Sequence, residues 1–348
     1  MYIDPVRQMG ILAVTPVLLA AFVSACWTPP RALIVTPGTA DVGTWIAGLS
    51  SCRPDDGDVV RIDPGRPLTL FIHGCNASTG SFRSLAQVFE AHGHQTLCFS
   101  YNDRERLDVA SARLITALEA LEAHIPKGGI TILGHSQGGL IGRHALVRDR
   151  ARPLRASPDF QIRLVTVSSP FGGIDSSKHC GLTWLHVMTL GATAVICQGI
   201  AGSKWHDIFP RSPFMRHPGT LAGRVTRHVK IATDERDSCR SVAPDGRCSE
   251  EDFVFSLDEQ YNRAVDLDRR VNSVEVKAGH IAIVGERGHS PTKLIEVLQA
   301  YEIMAKTPPE RRIEIARLLE QLYGPASKHS GPAETTISAT NAQTAFSP

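Results

Sequence analysis

The stretch Thr131-Ile132-Leu133-Gly134-His135-Ser136-Gln137-Gly138-Gly139 constrains this chain more than any other. The apolar run Ile130 to Leu133 breaks abruptly into Gly-His-Ser-Gln-Gly, and the helix-compatible run Leu140 to Arg148 follows. The pattern predicts a strand, a sharp turn with serine at its apex, and a helix. Such a turn holds its central residue at unfavourable backbone angles. Strand and helix then cross so closely that a side chain two places before or after the apex would collide. Gly134 and Gly138 occupy those places. G-x-S-x-G alone is a weak signal, because both residues are common; the flanking strand and helix make it specific.

The neighbouring segments repeat the rhythm. Leu68 to Ile72 reads as a buried strand, Phe82 to Ala91 as an amphipathic helix, and Leu97 to Tyr101 as the next strand. A long helix spans Leu107 to Ile125, with Val109, Leu114, Ile115, Leu118, Leu121 and Ile125 at helical spacing. Arg163 to Val167, His228 to Thr233 and Val271 to Val276 read as later strands, and Pro291 to Ala305 and Pro309 to Tyr323 as closing helices. Strand and helix alternating in this way predict an α/β fold: a mostly parallel central sheet with helices on both faces. Two opening strands, Ala32 to Val35 and Val59 to Ile62, come before it, and Ala326 to Pro348 reads as a disordered tail. The expected division is residues 1–25 as signal peptide, 26–66 as opening strands and loops, 67–324 as the main domain and 325–348 as tail.

About fifty residues separate the strand ending at Val167 from the one starting at His228, and they are too apolar for a loop in water. Leu182, Trp184, Leu185, Val187, Met188, Leu190, Val195 and Ile196 fall among almost no charges. The expectation is a helical apolar cap over about 174–226, inserted after the sixth strand. It serves as extra core, as a cover presenting apolar surface to an acyl chain or a membrane, or as both. Asn102 to Glu105, at a strand end, reads as a solvated loop.

The 348 residues carry a formal net charge of +2 and 21% charged side chains, so electrostatics gives no reason to expect nucleic acid. The apolar run Gly10 to Val23 is too short to span a membrane and ends in Val23-Ser24-Ala25-Cys26, an export-signal pattern. That end resembles a bacterial lipobox, which implies lipidation of Cys26 and anchoring in the cell envelope; cleavage near Ala25 with secretion is the alternative. Export implies an oxidising compartment for the eight cysteines. Cys239 and Cys248, bracketing a polar loop, are the first expected disulfide, and Cys180 with Cys197 the second. Counting cannot settle the pairing. No zinc spacing is present, and no metal or cofactor is expected.

A serine hydroxyl needs a base within hydrogen-bond reach, and the base needs an acid to fix its tautomer. His280, after the last strand and preceded by Gly279, is the expected base; His289 is its competitor. The acid falls between serine and histidine, where Asp234, Glu235, Asp237, Asp252 and Asp258 are candidates. Asp234 directly follows a strand. Asp252 is favoured, on the view that the insert between the two cysteines delivers it back to that loop.

These pieces resemble the α/β-hydrolase fold family, and within it the bacterial lipase and GPI-inositol-deacylase-like branch. The likeness rests on Phe71-Ile72-His73-Gly74, on Gly134 to Gly139, on Val167-Ser168-Ser169-Pro170-Phe171-Gly172-Gly173, and on Pro210-Arg211-Ser212-Pro213-Phe214. Asp252-x-Val254 and Gly279-His280 match more loosely. The resemblance covers about Leu68 to Leu298. It implies Ser136 as nucleophile, His280 as base and Asp252 as acid, with the N–H groups of Cys75 and Gln137 as the oxyanion hole. The implied reaction is carboxylic-ester hydrolysis through an acyl-enzyme, with a lipid-like or acylated ester as substrate. An acyltransferase with the same triad and a non-catalytic envelope protein are the alternatives.

Overall fold

The computed structural model describes residues 29–37, 43–53, 57–75, 77–125, 129–177, 189 and 202–325. In chain order the strands are β1 (Arg31–Val35), β2 (Thr44–Ala47), β3 (Leu49–Ser50), β4 (Val59–Arg61), β5 (Leu68–Ile72), β6 (Gln95–Phe99), β7 (Ile130–His135), β8 (Ile162–Val167), β9 (Val225–Asp234), β10 (Cys239–Val242), β11 (Cys248–Glu251) and β12 (Val271–Lys277). Seven of them form the central sheet in the order β12-β9-β8-β7-β5-β6-β3. Only β3 runs antiparallel to its neighbour; the other pairs are parallel. β1, β2 and β4 form a separate small sheet, and β10 and β11 form a hairpin.

The middle strands are buried on both faces, which is why they read as continuous apolar runs. Alternate residues serve alternate layers. Leu68, Leu70, Ile72, Ile130, Ile132, Ile162 and Leu164 pack on one side, and Phe71, Leu133, Val165 and Val167 on the other. The first layer takes the apolar faces of α2 (Leu107–Leu121) and α3 (Gln137–Ala145). The second takes α1 (Arg83–Ala91) and the closing helices Thr292–Ala300 and Arg312–Tyr323. The expected layered α/β architecture is present.

Two details depart from expectation. The insertion follows β8, the eighth strand among the described residues, rather than the sixth. β2 and β3, of four and two residues, are too short to show a period in sequence. The second departure is a disulfide between Cys52 and Cys98, which fastens the segment after β3 to β6. Cys239–Cys248 is present as expected and closes the β10–β11 hairpin. Cys26, Cys180 and Cys197 lie outside the described residues, as does most of the apolar run of the insertion.

Candidate active site

β7 lies at the centre of the sheet and ends in the turn that carries Ser136. Ser136 sits at φ 55° and ψ −125°, a left-handed conformation that an L residue adopts only under constraint. The constraint is local. The Ser136 N–H donates to the Val167 carbonyl at 2.8 Å, tying the turn to β8. A Cβ on Gly134 would lie 2.5 Å from the Gly138 carbonyl, and one on Gly138 would lie 2.2 Å from the Ile72 oxygen. The crossing of strand and helix therefore admits no side chain at either place.

His280 follows β12, and its ring is held from several directions. Nδ1 lies 2.9 Å from Glu235 Oε1 and 2.8 Å from Ser168 Oγ. A carboxylate only accepts, so Nδ1 carries the proton and Nε2 is the nitrogen free to take another. The Phe255 ring packs against the imidazole in a T-shaped pair, centroids 4.9 Å apart. His135, the variable residue of the turn, donates from Nε2 to the His280 carbonyl at 2.9 Å, so the serine turn and the histidine loop are joined directly. Burial holds the His135 imidazole down to about 3, which leaves it neutral and unsuited to act as a base.

Glu235 is buried, and five donors reach its carboxylate. Oε1 accepts from Ser168 Oγ at 2.6 Å, from Thr233 Oγ1 at 2.9 Å and from His280; Oε2 accepts from the N–H groups of Val254 at 2.6 Å and Phe255 at 2.8 Å. Burial pushes this carboxyl up. The bonds from His280, Ser168 and Phe255 outweigh it and leave the group below its ordinary value. Ser168 itself sits at φ 47°, a second strained residue, at the end of the strand next to β7.

The carboxylate against the His280 ring is therefore Glu235, not the expected Asp252. Asp252 is buried, but its carboxylate accepts from the backbone N–H groups of Ile281 and Ala282 at 2.9 to 3.1 Å, not from the His280 ring. It braces the loop after β12, and its own carbonyl accepts the His280 N–H at 3.0 Å. The reason lies in strand parity: successive side chains at the end of β9 point to opposite faces. Asp234 turns outward to Arg236 at 2.8 Å, and Glu235 turns inward to the histidine. Asp237 is exposed near Lys277, at 3.7 Å. His289 belongs to the turn beyond, with Nε2 3.2 Å from the Arg240 carbonyl.

The loop after β5 comes over the serine: a Cβ on Gly74 would lie 3.0 Å from Ser136 Cβ and 3.5 Å from its Oγ. His73 is stacked on Tyr101 with ring centroids 4.4 Å apart, and its Nδ1 donates to the Gly74 carbonyl at 2.9 Å. In a trans peptide C=O and N–H point opposite ways, so the Cys75 N–H faces away from the His73 ring. Gln137 is the first residue of α3, and its N–H is among those that helix geometry leaves without an intrahelical partner.

One part of the site escaped sequence reasoning. The loop at Asp103 and Arg104 is a junction, not a solvated bend. The Asp103 carbonyl accepts from Gln137 Nε2 at 3.2 Å and from Lys204 Nζ at 2.7 Å, and the Arg104 carbonyl accepts from the Ser203 N–H at 2.7 Å. The short helix Trp205–Ile208 is fixed by Asp207, which accepts from Arg106 at 2.7 Å and from the Leu107 N–H at 2.8 Å. No local pattern marks such contacts, because they join segments from 34 to about a hundred residues apart.

Residues 67–179 match the sequence profile of the α/β-hydrolase fold. Among curated protein sequences none matches this chain. Solved structures similar to it include the mature lipase BlEst2 of Bacillus licheniformis (13% identity, 69% of this chain and 93% of that one, TM-score 0.44). Another is esterase B from Lactobacillus rhamnosis (10% identity, 74% and 78%, TM-score 0.42). A third is a carboxylesterase structure from Nitrososphaera gargenis (12% identity, 69% and 91%, TM-score 0.40). Sheet order, helices on both faces, the serine turn after the central strand and the profile match agree on one architecture: this chain has the α/β-hydrolase fold.

Proposed function

We propose that the chain is a serine carboxylic-ester hydrolase with Ser136 as nucleophile, His280 as general base and Glu235 as the acid that orients it. The observation that carries this reading is the placement of a strained serine at the end of the central strand, joined through His135 to a histidine whose Nδ1 rests on a buried carboxylate. In the first step Ser136 Oγ attacks the ester carbonyl carbon as His280 Nε2 takes its proton. The tetrahedral oxyanion is met by the N–H groups of Cys75 and Gln137. The intermediate collapses, the alcohol leaves with the proton from His280, and an acyl group remains on Ser136. Water, deprotonated by the same histidine, then releases the acid. Glu235 stabilises the imidazolium formed in each step.

Two finer statements belong to this proposal. The apolar insertion after β8 favours an acylated or lipid-like ester. The lipobox-like end of the leader, together with two disulfides, supports export with a lipid anchor at Cys26. A fluorophosphonate probe tests the core of the reading. It should label the wild type and not Ser136→Ala; an unlabelled wild type overturns the enzyme, and a labelled Ser136→Ala moves the nucleophile elsewhere. Among p-nitrophenyl esters of rising chain length, a preference for acetate would count against a lipid-like substrate.

A further inference from the structure

Cys75 is the free cysteine among the described residues, and its side chain is exposed. Against it lies Lys204, from within the insertion. The Lys204 side chain is 6% exposed, and its Nζ is 2.7 Å from Cys75 Sγ. A buried ammonium ordinarily takes a carboxylate partner, and Asp103 provides one at 3.8 Å. The sulphur is closer. A separation of 2.7 Å is at the short end even for nitrogen and oxygen, and sulphur is the larger atom. It is the span of a nitrogen and a sulphur that share one bridging oxygen.

We propose that Cys75 and Lys204 form an oxidation site at which hydrogen peroxide links sulphur to nitrogen through a single oxygen. In the first step the thiol attacks peroxide: an S–O bond forms, the O–O bond breaks, and sulfenic acid and water result. In the second, Lys204, having passed its ammonium proton to water, forms an N–O bond to the sulfenic oxygen. One hydrogen leaves the amine and one the sulfenic acid, a second peroxide accepts the two electrons, and two waters leave. The thiol and amine are together oxidised by four electrons, so two equivalents of a dithiol, each becoming a disulfide, return them with release of water. Exposure admits the peroxide to Cys75, while the Asp103 carbonyl, 2.7 Å from Nζ, holds the lysine in place. The product fastens the loop over Ser136 to the insertion.

The test treats the full chain with hydrogen peroxide, blocks remaining thiols, digests without reductant and weighs the peptides. A peptide pair containing Cys75 and Lys204, heavier than its parts by one oxygen less two hydrogens, is expected. Dithiothreitol should dissolve it, and Cys75→Ser and Lys204→Met should lack it; Lys204→Arg, which keeps the charge, gives the same answer if the methionine variant fails to fold. Cys75 found unchanged, or as sulfinic or sulfonic acid beside an unmodified Lys204, overturns the proposal. The readout is a mass, so it stands or falls independently of ester hydrolysis.

Discussion

Glu235 and Asp252 are both buried carboxylates near His280, and they should behave differently when altered. Glu235→Gln puts an amide donor against Nδ1–H and favours the wrong tautomer. It should lower kcat/KM about 10³- to 10⁴-fold with the fold intact. Asp252→Asn weakens two backbone contacts of the histidine loop, so the larger effect should be about 1 to 3 kcal/mol of stability, measured by urea unfolding. Equal losses of activity in the two variants would overturn Glu235 as the proposed acid. Asp207 titrates in the opposite sense to Glu235. Burial raises it from 3.8 to about 6, and the Arg106 contact does not reverse this because that guanidinium is itself exposed to water. Between those values the folded state holds a proton that the unfolded state has lost. The contribution of Asp207 is therefore present below the lower value and lost as pH rises through the upper one. Asp207→Asn should flatten the fall in stability from pH 4 to 6, a range set by those two values.

At the scale of elements, the crossing of β7 and α3 tolerates almost nothing. Gly138→Ala places a methyl 2.2 Å from a backbone oxygen that cannot move without its strand, and it should destabilise the protein by about 3 kcal/mol or more. Gly142→Ala lies on the same helix, but its new methyl would press only on the flexible end of Ile72, at 3.2 Å, and meet Ile132 and Leu164 at ordinary contact distances of 3.5 and 3.7 Å. There the gain in helix propensity offsets the crowding, and the change should stay within about 1 kcal/mol. Comparable unfolding midpoints for the two variants would contradict this account. The strong elements were legible in sequence for the same reason that they are stable. β5, β7 and β8 are buried on both faces, apart from the half-buried Arg163, and so are mostly apolar. β2 and β3 were not legible: pairing partners define them, and a few residues carry no pattern.

At the scale of the whole molecule, the two disulfides among the described residues differ in exposure and in loop length. Cys52–Cys98 closes a separation of 46 residues and is buried, whereas Cys239–Cys248 closes 9 at the surface. Chain entropy assigns about 4 kcal/mol to the first and about 2.6 kcal/mol to the second. Mild dithiothreitol on the native protein should open Cys239–Cys248 first, read by alkylation and mass; early loss of Cys52–Cys98 would show that the core around β6 opens more readily than its burial implies. The sequence by itself determined the layered fold and the serine turn, because both follow from contacts between near neighbours and from the periods of strand and helix. Only the tertiary structure decided that Glu235, not Asp252, meets His280, that Cys52 pairs with Cys98, and that Lys204 reaches Cys75. Those partners are remote in sequence. Which of two adjacent carboxylates faces inward is set by the parity of β9 against its neighbours, a register that no single segment encodes.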